Sequence, residues 1–222
     1  MAHAQRTFIP AAGSDWLLPF YDPVSKLLGS ASAHRQLIDE AELRAGQRVL
    51  EIGCGTGSLI LLVKSLHPAV EAIGLDPDPK ALARAQRKLE RCGISVQLDR
   101  GFSDELPYPD ESYDRVLSAL MFHHLDRNEK TQTLHEVLRV LKPGGSLHLL
   151  DFGSGQDGSD GPLARLFRAS EHLRDNSADV ILALMQSVGF ASPAVTANRR
   201  MMIFGRIFYY RASAPAERPR AT

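Results

Sequence analysis

The stretch "RVLEIGCGTGSLILL", Arg48 to Leu62, constrains this chain more than any other. A Val/Leu/Ile segment runs into three alternating glycines and then into a long apolar run, the pattern of a strand that turns sharply into a helix. Such a corner lets backbone approach a ligand, and its usual tenant is a phosphate or another anion. Here Gly53, Gly55 and Gly57 depart from the GxGxxG spacing of dinucleotide sites, and Glu51 stands just ahead of the first glycine. A pyrophosphate would meet that carboxylate, and at ~4 Å two unit charges repel by about 4 kcal/mol at an effective dielectric near 20. The corner therefore suits a ligand of both signs, with an ammonium for Glu51 and an anionic group for the loop N–H groups. Asp76, closing the next strand "VEAIGLD", is placed to take a pair of ribose hydroxyls.

Strand and helix signals alternate along the chain. After "RVLEIG" comes a helix from about Thr56 to Leu66, then the strand to Asp76. Asp78 as N-cap, Pro79 at the first helical position and Gly93 as the stop mark both ends of a helix through "KALARAQRKLERC". "ISVQLDR" and "SYDRVLSAL" read as the third and fourth strands. Leu134, Val137, Leu138 and Leu141 share one helical face before "KPGG" stops the helix, and "SLHLLDF" is the fifth strand. Alternation of this kind predicts crossover units and a doubly wound, Rossmann-like α/β sheet. The tail differs: two helices in "PLARLFRASEHL" and "ADVILALMQSVGF" precede strands "PAVTAN" and "MMIFGRIFYYRA", whose short "RR" connection forces an antiparallel pair. The domain organisation expected is a helical cap or lid over 1–45, the main domain over 46–212 and a disordered tail over 213–222.

At 222 residues, one domain with a full core is the expectation. Lys plus Arg balance Asp plus Glu at 26 each, so no global charge steers the chain toward nucleic acid or an anionic membrane. No signal-like start or spanning apolar run is present, which predicts a cytoplasmic protein. Cys54 and Cys92 form neither a CxxC pair nor a zinc set and read as structural thiols, and no metal is implied. Arg84, Arg87, Lys88 and Arg91 read as the solvated face of their helix.

The motifs "VLEIGCGTG", "GLDPDP", "LPYPDESYDRVLSAL" and "EVLRVLKPGG", in this order, resemble those of class I S-adenosylmethionine-dependent methyltransferases, in the small-molecule branch that includes the quinone C-methyltransferases. S-adenosyl-L-methionine carries both signs that the glycine corner asks for. The resemblance covers about residues 46 to 152 and implies a seven-stranded sheet with an antiparallel last strand. It further implies Glu51 for the methionine ammonium, Gly53, Gly55 and Gly57 for the backbone loop, Asp76 for the ribose and Pro77 beside the adenine, with S-adenosyl-L-homocysteine as product. Where many relatives place an Asp that takes the adenine amine, this chain has Phe102. Phe102 cannot accept that bond, which leaves Asp104, Ser103 or a backbone carbonyl, with Phe102 packing on the ring.

The tip of the fourth strand, "SALMFHHLD", is where acceptors meet the methyl group in this family. It lacks the Asn/Asp-Pro-Pro-Tyr/Phe motif of DNA and related N-methyltransferases, which disfavours a nucleic-acid substrate. His123 and His124 are candidate bases; strand alternation predicts that only one faces the acceptor. Tyr21, with Trp16, Phe20 and Asp22, is the second acceptor-side group, in a leading segment expected to close as a lid. Asp151 and Phe152 end the fifth strand within reach. The expected function is methyl transfer to a small, partly apolar acceptor. A membrane-surface quinone or phospholipid methyltransferase in peripheral contact with lipid, and a non-catalytic cofactor-binding protein, are the alternatives. Oligomeric state is not legible.

Overall fold

The computed structural model describes residues 30–153, 176–201 and 205–217. Their order is α1 (Ser30–Ala41), β1 (Arg48–Ile52), α2 (Ser58–Leu66), β2 (Glu71–Asp76), α3 (Pro79–Arg91), β3 (Gln97–Arg100) and β4 (Tyr113–Ala119). A 3-10 turn (Phe122–His124), α4 (Arg127–Val140), β5 (Leu141–Gly153), α5 (Ala178–Val188), β6 (Ala191–Met201) and β7 (Gly205–Ser213) follow. One seven-stranded sheet has the order β3-β2-β1-β4-β5-β7-β6. The pairs from β3 to β5 are parallel, and β7 is antiparallel to both β5 and β6. The expected fold class is therefore observed. The chain winds outward from β1 in one direction and from β4 in the other, so a crevice opens between their carboxyl ends, where such sheets bind ligands.

Strand alternation divides the core between the two sheet faces. Leu50, Ile52, Val116, Leu147 and Leu149 pack with Leu134 and Val137 of α4 and Ile181 and Met185 of α5. Val49, Leu117, Leu150 and Tyr209 meet Leu37 and Ile38 of α1, Leu59 and Val63 of α2 and Leu89 of α3. Each such side chain contributes about 1.5–3 kcal/mol by leaving water.

Local signals explain most boundaries. Asp78 caps α3 by accepting from the Lys80 N–H at 2.8 Å, with Pro79 next to it and Gly93 at φ +67° after it. Asp126 and Glu129 form a reciprocal capping box on α4. Three expectations need correction. Leu141 lies outside the helix: α4 ends at Val140 and Leu141 pairs with Tyr113, because β5 begins at Leu141 and a register shift carries it past "KPGG" to the Arg115–Ser146 pair. Arg199 and Arg200 are not a connection but paired positions of β6, which runs on to Met201. The tail does not begin at 213 either. Ser213 pairs with Ser146 and Ala191, and Ala214 exchanges backbone hydrogen bonds with Gly144 and Gly145. The lid residues Trp16, Phe20, Tyr21 and Asp22 lie outside the described residues, as does the first expected helix after Gly153.

Candidate active site

β1, β2 and β4 deliver their last residues to one end of the sheet, around a cavity of about 320 Å³. Glu51, Gly53, Gly55, Asp76, Pro77, Phe102, Ser103, Asp104 and His124 all line it. The glycines work mainly by shape. A Cβ on Gly53, whose φ is +68°, would stand 2.4 Å from Met121 Cγ, and one on Gly57 at φ +74° would stand 2.8 Å from Ala85 Cβ. The loop can pass under Met121 and against α3 only without side chains.

Three of the loop N–H groups are taken by protein acceptors and so are not open to an anion as the sequence suggests. Gly55 N–H donates to Asp76 Oδ2 at 2.8 Å, Gly57 N–H to the Cys54 carbonyl at 2.8 Å, and Cys54 N–H to the Leu75 carbonyl at 3.0 Å. The tight turn is what spends them: closing a strand-to-helix corner buries amides, and buried amides need partners.

Asp76 ties the corner together, because its Oδ1 also accepts from the Asp78 N–H at 2.9 Å. Burial raises its carboxyl above the usual range. Both oxygens keep a further lone pair for ribose hydroxyls. Glu51 is only 3% exposed, and its Oε2 has no hydrogen-bond partner among the described residues. Burial first, then nearby Asp76, holds the Glu51 carboxyl well above its ordinary value, against the Ile60 backbone hydrogen bond that favours its charged form. A buried, orphaned carboxylate oxygen on a cavity wall calls for a cationic donor, and an ammonium group fits it. On the far side, Ser103 Oγ is engaged with Thr133 Oγ1 of α4 at 2.9 Å. Cys54 is buried, and burial next to Glu51 pushes its thiol well up, in keeping with a structural role.

The histidines are arranged differently from the strand alternation expected. β4 stops at Ala119, and Leu120 takes a left-handed φ of +57° that turns the chain into the 3-10 turn. In that turn consecutive side chains do not alternate. The two rings lie side by side with centroids 4.0 Å apart. His124 lines the cavity. His123 sits behind it: Asp151 Oδ1 is 2.6 Å from His123 Nδ1, Oδ2 accepts from the His123 N–H at 2.9 Å, and Phe152 packs edge-on against the ring. Asp151 is fully buried and also accepts from the Phe152 N–H.

Sequence reasoning missed His34, Thr56, Ser58 and Lys88. His34, on α1, lines the cavity, and so do Thr56 and Ser58. Lys88 does not face solvent alone: its Nζ donates to Thr56 Oγ1 at 3.3 Å and to Ser58 Oγ at 3.0 Å. One helical turn separates Lys88 from Ala85, the residue packed on Gly57, and that spacing was the available signal. Among the described residues no His/Cys/Asp/Glu cluster could hold a metal ion, and no helix is long and apolar enough to cross a membrane.

A family model for the methyltransferase domain matches residues 49–145. The demethylmenaquinone methyltransferase of Thermus thermophilus is 35% identical over 154 residues, 68% of this chain and 69% of that protein. The Deinococcus radiodurans protein of the same name is 34% identical, and the match covers 68% of this chain and 63% of its length. In fold, the chain resembles the YcgJ protein of Bacillus subtilis, with a TM-score of 0.71 at 20% identity over 83% of this chain and 99% of that one. It equally resembles phosphoethanolamine N-methyltransferase 2 of Haemonchus contortus, solved with S-adenosylhomocysteine, with a TM-score of 0.71 at 16% identity over 83% of this chain and 52% of that one. The chain belongs to the class I S-adenosylmethionine-dependent methyltransferases, and in sequence it is similar to the quinone C-methyltransferases among them. It is an enzyme, and its methyl donor is S-adenosylmethionine.

Proposed function

We propose that this enzyme methylates a ring carbon of a small, partly apolar hydroquinone, with His124 as the base. The observation that carries the reading is the acceptor end of the cavity, where Leu120, Met121 and Leu125 form an apolar wall that holds the ring of His124, with Asp126 and Glu129 also on the lining. The similarity to two demethylmenaquinone methyltransferases supports the same acceptor class. Bound S-adenosylmethionine supplies an electrophilic methyl on a sulfonium that leaves as a neutral thioether. The chain's own contribution is to hold the acceptor in line and exclude water, which can supply up to ~7 to 11 kcal/mol of the barrier. His124 accepts the phenolic proton as the ring carbon bonds to the methyl and the methyl–sulfur bond breaks; the ring C–H proton then passes to solvent while His124 returns its proton to the oxygen, which restores the aromatic hydroquinone with one net proton released. His123 is a positioning residue. Its Nδ1–H donates to Asp151, which fixes the tautomer and sets the ring against His124. Glu51 takes the donor ammonium, Asp76 the ribose, and Pro77, Phe102 and Asp104 border the adenine. A cytoplasmic location and the absence of a nucleic-acid substrate are part of the same reading.

The test is to incubate the purified enzyme with methyl-labelled S-adenosylmethionine and a short-chain, ring-unsubstituted 1,4-naphthohydroquinone, and to identify products by mass spectrometry. Label on the ring carbon is expected; label on oxygen alone, or on an amine headgroup such as phosphoethanolamine instead, overturns the acceptor class. His124→Ala should cut turnover by ~10²- to 10⁴-fold and remove the acidic limb of the rate profile. Asp151→Asn should cost about tenfold in kcat with donor affinity unchanged, whereas a purely structural Asp151 would lower only the melting temperature.

A further inference from the structure

The amino-acid end of S-adenosylmethionine carries a carboxylate beside its ammonium. Glu51 and Asp76 already place two buried acidic groups on the same wall. A third carboxylate there is helped by a cation, since three of the loop N–H groups, those of Cys54, Gly55 and Gly57, are committed to Leu75, Asp76 and Cys54. Lys88 is not itself on the lining but stands directly behind it, on Thr56 and Ser58. It donates to the hydroxyls of Thr56 and Ser58, both on the cavity wall, and its charge opposes the rise of the Glu51 carboxyl. His34 faces the same corner but brings no charge: burial, with Lys88 second, lowers its imidazole to about 4.

We propose that Lys88, together with the hydroxyls of Thr56 and Ser58, is the binding site for the carboxylate of S-adenosylmethionine. This rests on the cavity being the donor site. The two hydroxyls hold the flexible lysine at the first turn of α2, so the ammonium stands at the helix N-terminus, where the macrodipole adds to its pull on an anion. The ammonium and carboxylate of the ligand then meet Glu51 and Lys88, one charge each. A site built in this way distinguishes the amino-acid end from analogues that keep the nucleoside and lose the acid.

Titration calorimetry on the full chain decides it with three probes: S-adenosylhomocysteine, decarboxylated S-adenosylmethionine, which keeps the ammonium only, and 5′-methylthioadenosine, which has neither group. In Lys88→Met, affinity for S-adenosylhomocysteine should fall ~10- to 100-fold while the other two change by less than about threefold. Lys88→Arg should keep most of the native affinity, which shows that charge rather than helix packing is lost. Equal loss for all three probes, or no loss for S-adenosylhomocysteine, overturns the assignment. If the native chain binds none of the three, the donor-site reading itself falls and takes this one with it.

Discussion

Glu51 shows how a single residue can trade stability for binding. Its carboxyl is buried beside Asp76, with one oxygen unpartnered, so folding raises its proton affinity well above the ordinary carboxylate value. A raised carboxyl favours the fold below the unfolded value near 4.3, and that benefit is lost as pH rises toward the folded one. At neutral pH the ligand-free protein therefore carries an unsatisfied site. Glu51→Gln should raise its melting temperature by about 2–4 °C, with the gain larger at pH 8 than at pH 5, while S-adenosylhomocysteine binding is lost. Scanning calorimetry without ligand, paired with a binding titration, checks both halves. An unchanged or lower melting temperature would mean that Glu51 has a partner in the folded chain.

The element that matters most is the corner joining β1 to α2. It was legible because its three glycines interrupt an apolar run, and the caps of α3 were legible because Asp78 and Pro79 act through neighbours in sequence. What the corner does with its amides was not, since Asp76 and Leu75 come from a different strand. Gly57 is the pivot between α2 and α3. With φ +74° and Ala85 Cβ only 2.8 Å from a modest side chain, Gly57→Ala should cost about 1–3 kcal/mol. Urea unfolding measures the loss, and Ala85→Gly placed on top of it should recover part by giving the new methyl room. No recovery would assign the whole cost to the backbone angle.

Across the whole molecule, the acid limit of stability should be set by histidines held neutral rather than by the site carboxylates. His148 on β5 is buried, bonded through Nε2 to Ser146 Oγ at 2.9 Å, with no partner for Nδ1 among the described residues. Burial, with Arg211 and Arg115 adding repulsion, lowers its imidazole to about 3. A depressed histidine lends stability above the unfolded value near 6.5 and loses it as pH falls toward the folded one. The loss should approach about 1.4 kcal/mol per pH unit for each such histidine, and His34 adds to it down to about 4. Denaturant midpoints measured from pH 7 to pH 4.5 should fall accordingly, and His148→Gln should flatten the curve. Glu51 and Asp76 work in the opposite direction, since protonation suits their buried positions.

The order of the elements, the doubly wound sheet and the reversed last strand follow from the sequence alone, because period, caps and connection length are local properties that the chain carries wherever it goes. So do the chemical identity of the donor and those residues of the cavity wall that sit beside glycines or at strand ends, such as Glu51 and Asp76, though not His34, Thr56 or Ser58. The tertiary structure alone decided the rest. It placed His123 on Asp151 and left His124 to the cavity, because the left-handed turn at Leu120 ends the strand before alternation reaches them. It spent three of the loop amides on protein acceptors and brought Lys88 from the far end of α3 to Thr56 and Ser58. Pairings of this kind join residues dozens of positions apart, and nothing in either local stretch encodes the distance between them.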